Sequence, residues 1–174
     1  MSEFKLENAP AELKGKSTLL SSTTQSRKNK PTKVTEVKLV FEVDLSADVK
    51  GIDFLFPGVD LHCKAVAGLE HYKGKNRTAR ASLPEMNIKL VYDGVEVLNQ
   101  KNCPVKTKPQ LKINKDGEAT LVIRPMVKLD GEELAQIASY IDSDLRISME
   151  SAQVDLEHSG ENVVMLRSNK VVKA

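Results

Sequence analysis

At 174 residues the chain is long enough for one domain with a sizeable core, and that core has to be aliphatic because aromatics make up 4% and tryptophan is absent. Two cysteines, Cys63 and Cys103, are too few for a disulfide framework, although one bridge between them stays open, and no apolar run approaches the ~20 residues of a membrane span. The net charge of +2 hides a segregation: residues 13–33 carry six positive and no negative charges, residues 73–115 sum to +7, and residues 116–161 sum to −8. A basic surface opposed to an acidic one is one reading; strands that fold these segments back together would mix the charges. The amino terminus lacks the basic-then-apolar order of a secretion signal, so a reduced, cytoplasmic setting with no membrane partner is expected.

Residues 1–33 read as a flexible basic arm. Ser17, Ser21, Ser22, Thr23, Thr24 and Ser26 lie among lysines, too polar to bury. Arg27, Lys28, Lys30 and Lys33 form a basic cluster that can neutralise phosphates or simply keep the chain soluble. A single β-rich domain is expected over 34–157. In 34–46, Val37, Leu39, Phe41, Val43 and Leu45 alternate with mostly polar residues, the period of one half-buried strand. Residues 52–67 read as two short strands broken at Pro57-Gly58, with Ile52, Phe54 and Phe56 on one apolar face and Leu61, Cys63 and Ala65 on the next.

The loop 70–85 carries Tyr72, Lys73, Lys75, Asn76, Arg77 and Arg80, a basic stretch with an aromatic and an amide, as in sites that track a nucleic-acid backbone. Residues 86–99 form a tight hairpin. Asp93-Gly94 favours a primed two-residue turn, which places Tyr92 opposite Val95 and Leu90 opposite Val97. The connector 100–108 is again basic, through Lys101, Lys106 and Lys108.

Residues 109–129 hold a second hairpin, around Asn114-Lys115-Asp116-Gly117. A simple Asp-Gly turn would split its apolar residues between two faces. A type I turn with Gly117 as a left-handed bulge puts Asn114 opposite Glu118, Ile113 opposite Ala119 and Leu111 opposite Leu121, all on one face, and is the better register. Pro125 marks an edge or a bend. Asp130 and Glu133 make a capping box for a short helix near 131–142, with Leu134, Ile137, Ala138 and Ile141 on its apolar face. A long strand follows, with Leu145, Ile147 and Met149 in one phase and Ala152, Val154 and Leu156 in the other; the switch near Glu150–Ser151 suggests a bulge or a crossing between sheets. Residues 158–174 read as a tail, with an edge strand or docking segment at 163–166.

The fold class is therefore mainly β, a β-sandwich or partly open barrel of about seven to eight strands with one capped helix. The meander with one late helix is similar to small oligonucleotide-binding barrels in architecture only. Candidate stacking aromatics are Phe54, Phe56, Tyr72, Tyr92 and Tyr140, of which Phe54 and Phe56 are assigned to the core.

No catalytic chemistry is spelled out. His62, Cys63, His71, Cys103 and His158 are not spaced as a zinc site, so no metal and no cofactor are expected. There is no nucleophile elbow and no glycine-rich phosphate loop. The expectation is a non-enzymatic protein that binds nucleic acid, single-stranded DNA or RNA, through phosphates at Tyr72, Lys73, Lys75, Asn76, Arg77, Arg80, Lys101, Lys106, Lys108, Arg27, Lys28 and Lys30. The alternatives are a protein-binding adaptor or inhibitor, or a structural subunit of a larger assembly such as a homo-oligomer.

Overall fold

The computed structural model describes residues 4–15, 18–27, 29–45, 52–57, 76–115 and 118–152. These hold eleven strands in chain order: β1 (Lys5–Leu13), β2 (Thr18–Arg27), β3 (Lys30–Lys38), β4 (Phe41–Asp44), β5 (Asn76–Thr78), β6 (Met86–Tyr92), β7 (Val95–Cys103), β8 (Gln110–Ile113), β9 (Ala119–Ile123), β10 (Met126–Leu129) and β11 (Asp144–Ser151). A single helical turn, α1 (Ile52–Leu55), precedes β5, and the longer α2 (Gly131–Ser139) lies between β10 and β11. The mainly β expectation stands, with more strands than foreseen.

The strands make two antiparallel sheets, one of eight strands in the order β5-β8-β9-β4-β1-β11-β6-β7 and one of three in the order β10-β3-β2. The large sheet cannot be flat. The chain from Cys103 at the end of β7 to Gln110 at the start of β8 reaches at most roughly 25 Å, whereas the intervening strand spacings would need about 29 Å in a flat sheet. The sheet curls without closing, since β5 and β7 do not pair. Across its concave face runs an apolar row, Leu111–Leu121–Val43–Ala11–Leu145, every member buried.

The two sheets meet at a corner where two strands bend side by side. β3 pairs with β10 up to Lys38 opposite Met126, and β4 pairs with β9 from Phe41 opposite Ile123. Between them Leu39 and Val40 are both buried, and the Leu39 N–H donates to the Pro125 carbonyl at 3.0 Å. The expected single strand over 34–46 is thus two strands in different sheets, because consecutive buried residues cannot both face one side of one strand. Pro125, which has no donor to contribute, sits in the matching break.

The expected flexible arm is corrected. β1 lies inside the large sheet between β4 and β11, and Leu6, Ala9, Ala11 and Leu13 are buried. A bulge between Leu6 and Ala9, with Asn8 at φ 47°, resets the phase so that both halves face the core. Pro10 is tolerated because it pairs only with β11; the β4 ladder begins at Ala11. β2 and β3 follow as a long hairpin, so the β-rich domain starts well before residue 34.

Other expectations divide. The second hairpin has the bulged-turn register, Leu111 opposite Leu121 and Ile113 opposite Ala119, with the Asn114 N–H donating to the Glu118 carbonyl at 3.0 Å; Gly117 itself is outside the described residues. In the first hairpin Tyr92 does oppose Val95, and Asp93 (φ 48°) and Gly94 (φ 77°) take the left-handed turn. Leu90, however, opposes Leu98 rather than Val97, because a bulge lets Val97 and Leu98 both bury. Residues 52–55 are helical, not extended: Ile52, Leu55 and Phe56 are buried at i, i+3, i+4 spacing, while Phe54, assigned to the core, is 50% exposed. The helix α2 has its capping box, with the Asp130 carboxylate accepting from the Glu133 N–H and the Glu133 carboxylate accepting from the Asp130 N–H, both at 2.9 Å. It ends at Ser139, earlier than 142, and buries Ile137. In β11 Leu145, Ile147 and Met149 face the core as expected, and Ser151 and Ala152 are both buried at the expected phase switch. Val154, Leu156 and the 163–166 segment lie outside the described residues, as does the second half of 52–67. No helix among the described residues is long and apolar enough to cross a membrane.

Candidate nucleic-acid interface: a basic corner and a charge-lined cleft

A second corner, the basic one, is built by β5, the three-residue edge strand of the large sheet, against the start of β8. Arg77 pairs with Leu111, whose side chain faces the core, so Arg77 turns inward and is half-buried, while Asn76 and Thr78 are exposed. Beyond β5 the backbone is pinned to the β7–β8 connector. The Ala79 N–H donates to the Pro109 carbonyl at 2.8 Å, the Arg80 N–H to the Leu55 carbonyl at 2.8 Å, and the Lys108 ammonium to the Arg80 carbonyl at 3.4 Å. Two basic segments some thirty residues apart in sequence thereby share one corner. Arg80, Lys106 and Lys108 are exposed there, and none forms an ion pair among the described residues.

Other expected site residues fall elsewhere. Lys101 is exposed on β7, at the opposite edge of the sheet order. Arg27 ends β2 and is committed to α2: its guanidinium lies 2.7 Å from Glu133 and 3.9 Å from Asp130, and donates to the Lys128 carbonyl at 2.8 Å. It clamps the acidic helix start instead of offering a free charge. Lys30 is exposed across the hairpin turn from Arg27. Tyr72, Lys73, Lys75 and Lys28 lie outside the described residues.

The chain matches no protein-family model, no curated protein and no solved structure. Function must therefore be read from the surface itself.

Beside the corner, on the convex face of β8, β9 and β4, is a cleft of ≈ 320 Å³ that sequence reasoning missed. Lys14, Glu42, Lys112, Val122, Arg124 and Asp142 line it. Alternation explains the membership: Phe41, Val43, Leu121 and Ile123 point into the core, so Glu42 and Val122, which oppose each other, lie on the other face of the sheet, where Glu42 is half-buried and Val122 is covered. Glu42 holds both lysines, Lys112 at 3.0 Å and Lys14 at 3.4 Å, and Lys14 also reaches Glu12 at 3.0 Å. Burial acts to raise the Glu42 pKa, but Lys112 and Lys14 outweigh it and hold the carboxyl below its ordinary value. The bond to Glu12, aided by Glu42 against partial burial, raises Lys14. A carboxylate held ionised in this way is a weak base. Arg124 donates to the Gln110 side chain at 3.0 Å, and Gln110 pairs with Thr78 of β5, which links cleft and corner.

Two further features bear on chemistry. Burial, with Glu85 adding to it, pushes the Cys103 thiol up to about 11, which leaves it an unreactive core group. Of the candidate aromatics, Phe56 is buried, and Tyr92, 41% exposed at its hairpin tip, packs on Tyr140 with ring centroids 4.9 Å apart.

Proposed function

We propose that this protein binds single-stranded nucleic acid without catalysing a reaction, and that Arg80, Lys106 and Lys108 make the phosphate contacts. The observation that carries the reading is the convergence of the β5 exit and the β7–β8 connector, fixed by the Lys108–Arg80 and Ala79–Pro109 hydrogen bonds. By contrast, Lys5, Lys14, Arg27, Lys89 and Lys112 are each paired with a carboxylate. Backbone-pinned cations held apart from carboxylates suit phosphates, whose binding releases condensed counterions. Lys73 and Lys75 immediately precede Asn76 in sequence and extend the basic segment, and Tyr72 supplies a ring for stacking.

The test is fluorescence anisotropy with labelled single-stranded DNA, single-stranded RNA and duplex DNA. The parent should bind the single strands at physiological salt, and the Arg80→Ala/Lys106→Ala/Lys108→Ala variant should bind all sequences more weakly. Lys89→Ala, at a charge already paired with Glu96, should bind as the parent does. A parent that binds no nucleic acid, or a triple variant with unchanged affinity, removes the proposal.

A further inference from the structure

Each exposed sheet edge offers unpaired backbone groups to another chain, and proteins cover, shorten or charge such edges. Here three of the four edges are dealt with. β7 and β10 close on each other: the Gln100 side chain donates to the Lys128 carbonyl at 2.6 Å and accepts from the Lys128 N–H at 3.2 Å, and the Met126 N–H donates to the Pro104 carbonyl at 2.8 Å. β5 is only three residues long. The fourth edge, β2, runs for ten residues, and no described strand pairs on its far side. Its sequence from Thr18 to Ser26 has no charge and no proline, so the usual protections are missing.

The register shows which groups this edge presents. Arg27 opposite Lys30 closes a two-residue turn and exchanges backbone hydrogen bonds, as do Gln25 opposite Thr32 and Thr23 opposite Val34 in alternation. Ser26 opposite Pro31, Thr24 opposite Lys33 and Ser22 opposite Thr35 are the pairs without mutual bonds, which agrees with a proline, lacking an N–H, at position 31. The N–H and C=O of Ser22, Thr24 and Ser26 therefore point outward.

We infer that β2 pairs antiparallel with β2 of a second copy of this chain across a two-fold axis at Thr24, joining two three-stranded sheets into one of six strands. With that centre, Thr24 meets Thr24 of the second copy and Ser22 meets its Ser26, so every outward donor finds an outward acceptor. The facing residues are small hydroxyl residues, exposed and uncharged, which pair well across strands. The nearest described charge on the strand, Arg27, is turned back onto Glu133 and the Lys128 carbonyl, so no like charges face each other at the joint. A strand whose edge is complementary to itself fits an isologous dimer.

Sedimentation velocity of the full chain across concentration tests this. The parent should show a monomer–dimer equilibrium. Thr24→Pro, which removes an outward N–H and leaves the β2–β3 ladder bonds intact, should be monomeric. Thr24→Glu and Thr24→Lys each place like charges opposite one another and should weaken the dimer roughly fivefold, while an equimolar mixture of the two should restore it. These charge variants decide the matter if Thr24→Pro does not fold. A parent that stays monomeric at every concentration, a dimer indifferent to all three substitutions, or a mixture that fails to restore association overturns the inference.

Discussion

Leu121→Ala tests the core through the row that ties the large sheet together. Leu121 is 0% exposed, with Val43 opposite it on one side and Leu111 on the other. Both neighbours are fixed by backbone ladders and cannot move in to fill the space. Of the ~2–5 kcal/mol range for such truncations, the upper half, roughly 3–5 kcal/mol, is therefore expected. At about 2–4 °C per kcal/mol for a chain of this size, the melting temperature should fall by roughly 6–20 °C. Urea unfolding followed by circular dichroism should show a lower midpoint at an unchanged slope, since the surface exposed on unfolding is almost the same. Val95→Ala, at a side chain 66% exposed on the hairpin, should stay within about 0.5 kcal/mol of the parent. A Leu121→Ala variant that melts with Val95→Ala would refute the curled sheet and its concave core.

Asp130→Ala should cost ~0.5–2 kcal/mol in the same urea assay, because it removes the cap of α2 and loosens the Glu133 carboxylate that Arg27 grips. Gly94→Val should lower the melting temperature although nothing crowds a side chain there, since the cost is the positive φ of 77° alone, on the order of 1–2 kcal/mol. The cleft gives a pH dependence with two limbs. Glu42 has a folded pKa below its unfolded value, so its contribution is present above the unfolded value of 4.5 and is lost as pH falls through the lowered one. Lys14 has a raised folded pKa, so its contribution is complete below 10.5 and is lost as pH rises through the raised value. Melting curves of Glu42→Gln against pH should accordingly lose part of the acid limb, and an acid limb identical to the parent's would place the ion pairs elsewhere.

Legibility followed the strength of the local signal. The 111–121 register could be read because only one of two turns puts Leu111, Ile113, Leu121 and Ile123 on one face, and the α2 cap because Asp130 and Glu133 stand at box spacing before helical periodicity. β1 was hidden because its buried residues are two alanines and two leucines, its phase is broken at Asn8, and Pro10 counts against a strand until the missing β4 neighbour is known. β2 was hidden because an edge strand of serines and threonines has the composition of a linker, and only its pairing with β3 distinguishes it. At 52–56, alternation through Phe54 and helical spacing through Leu55 compete over too few residues to decide. For the site, sequence could name the basic segments, yet it could not show that Arg80 and Lys108 meet, that Arg27 is spent on Glu133, or that β5 turns Arg77 inward. Those facts depend on strand order and register, which are set by contacts distant in sequence.

The most direct test of the basic corner is the salt dependence of single-strand affinity. Each phosphate contact contributes roughly 0.7 to the slope of log affinity against log salt for a single strand. With Arg80, Lys106 and Lys108 all replaced by alanine, the slope should flatten by about 2, and Arg27→Ala, whose charge is already held by Glu133, should leave it unchanged. A triple variant with the parent's slope, or an Arg27→Ala variant that flattens it, would contradict the account.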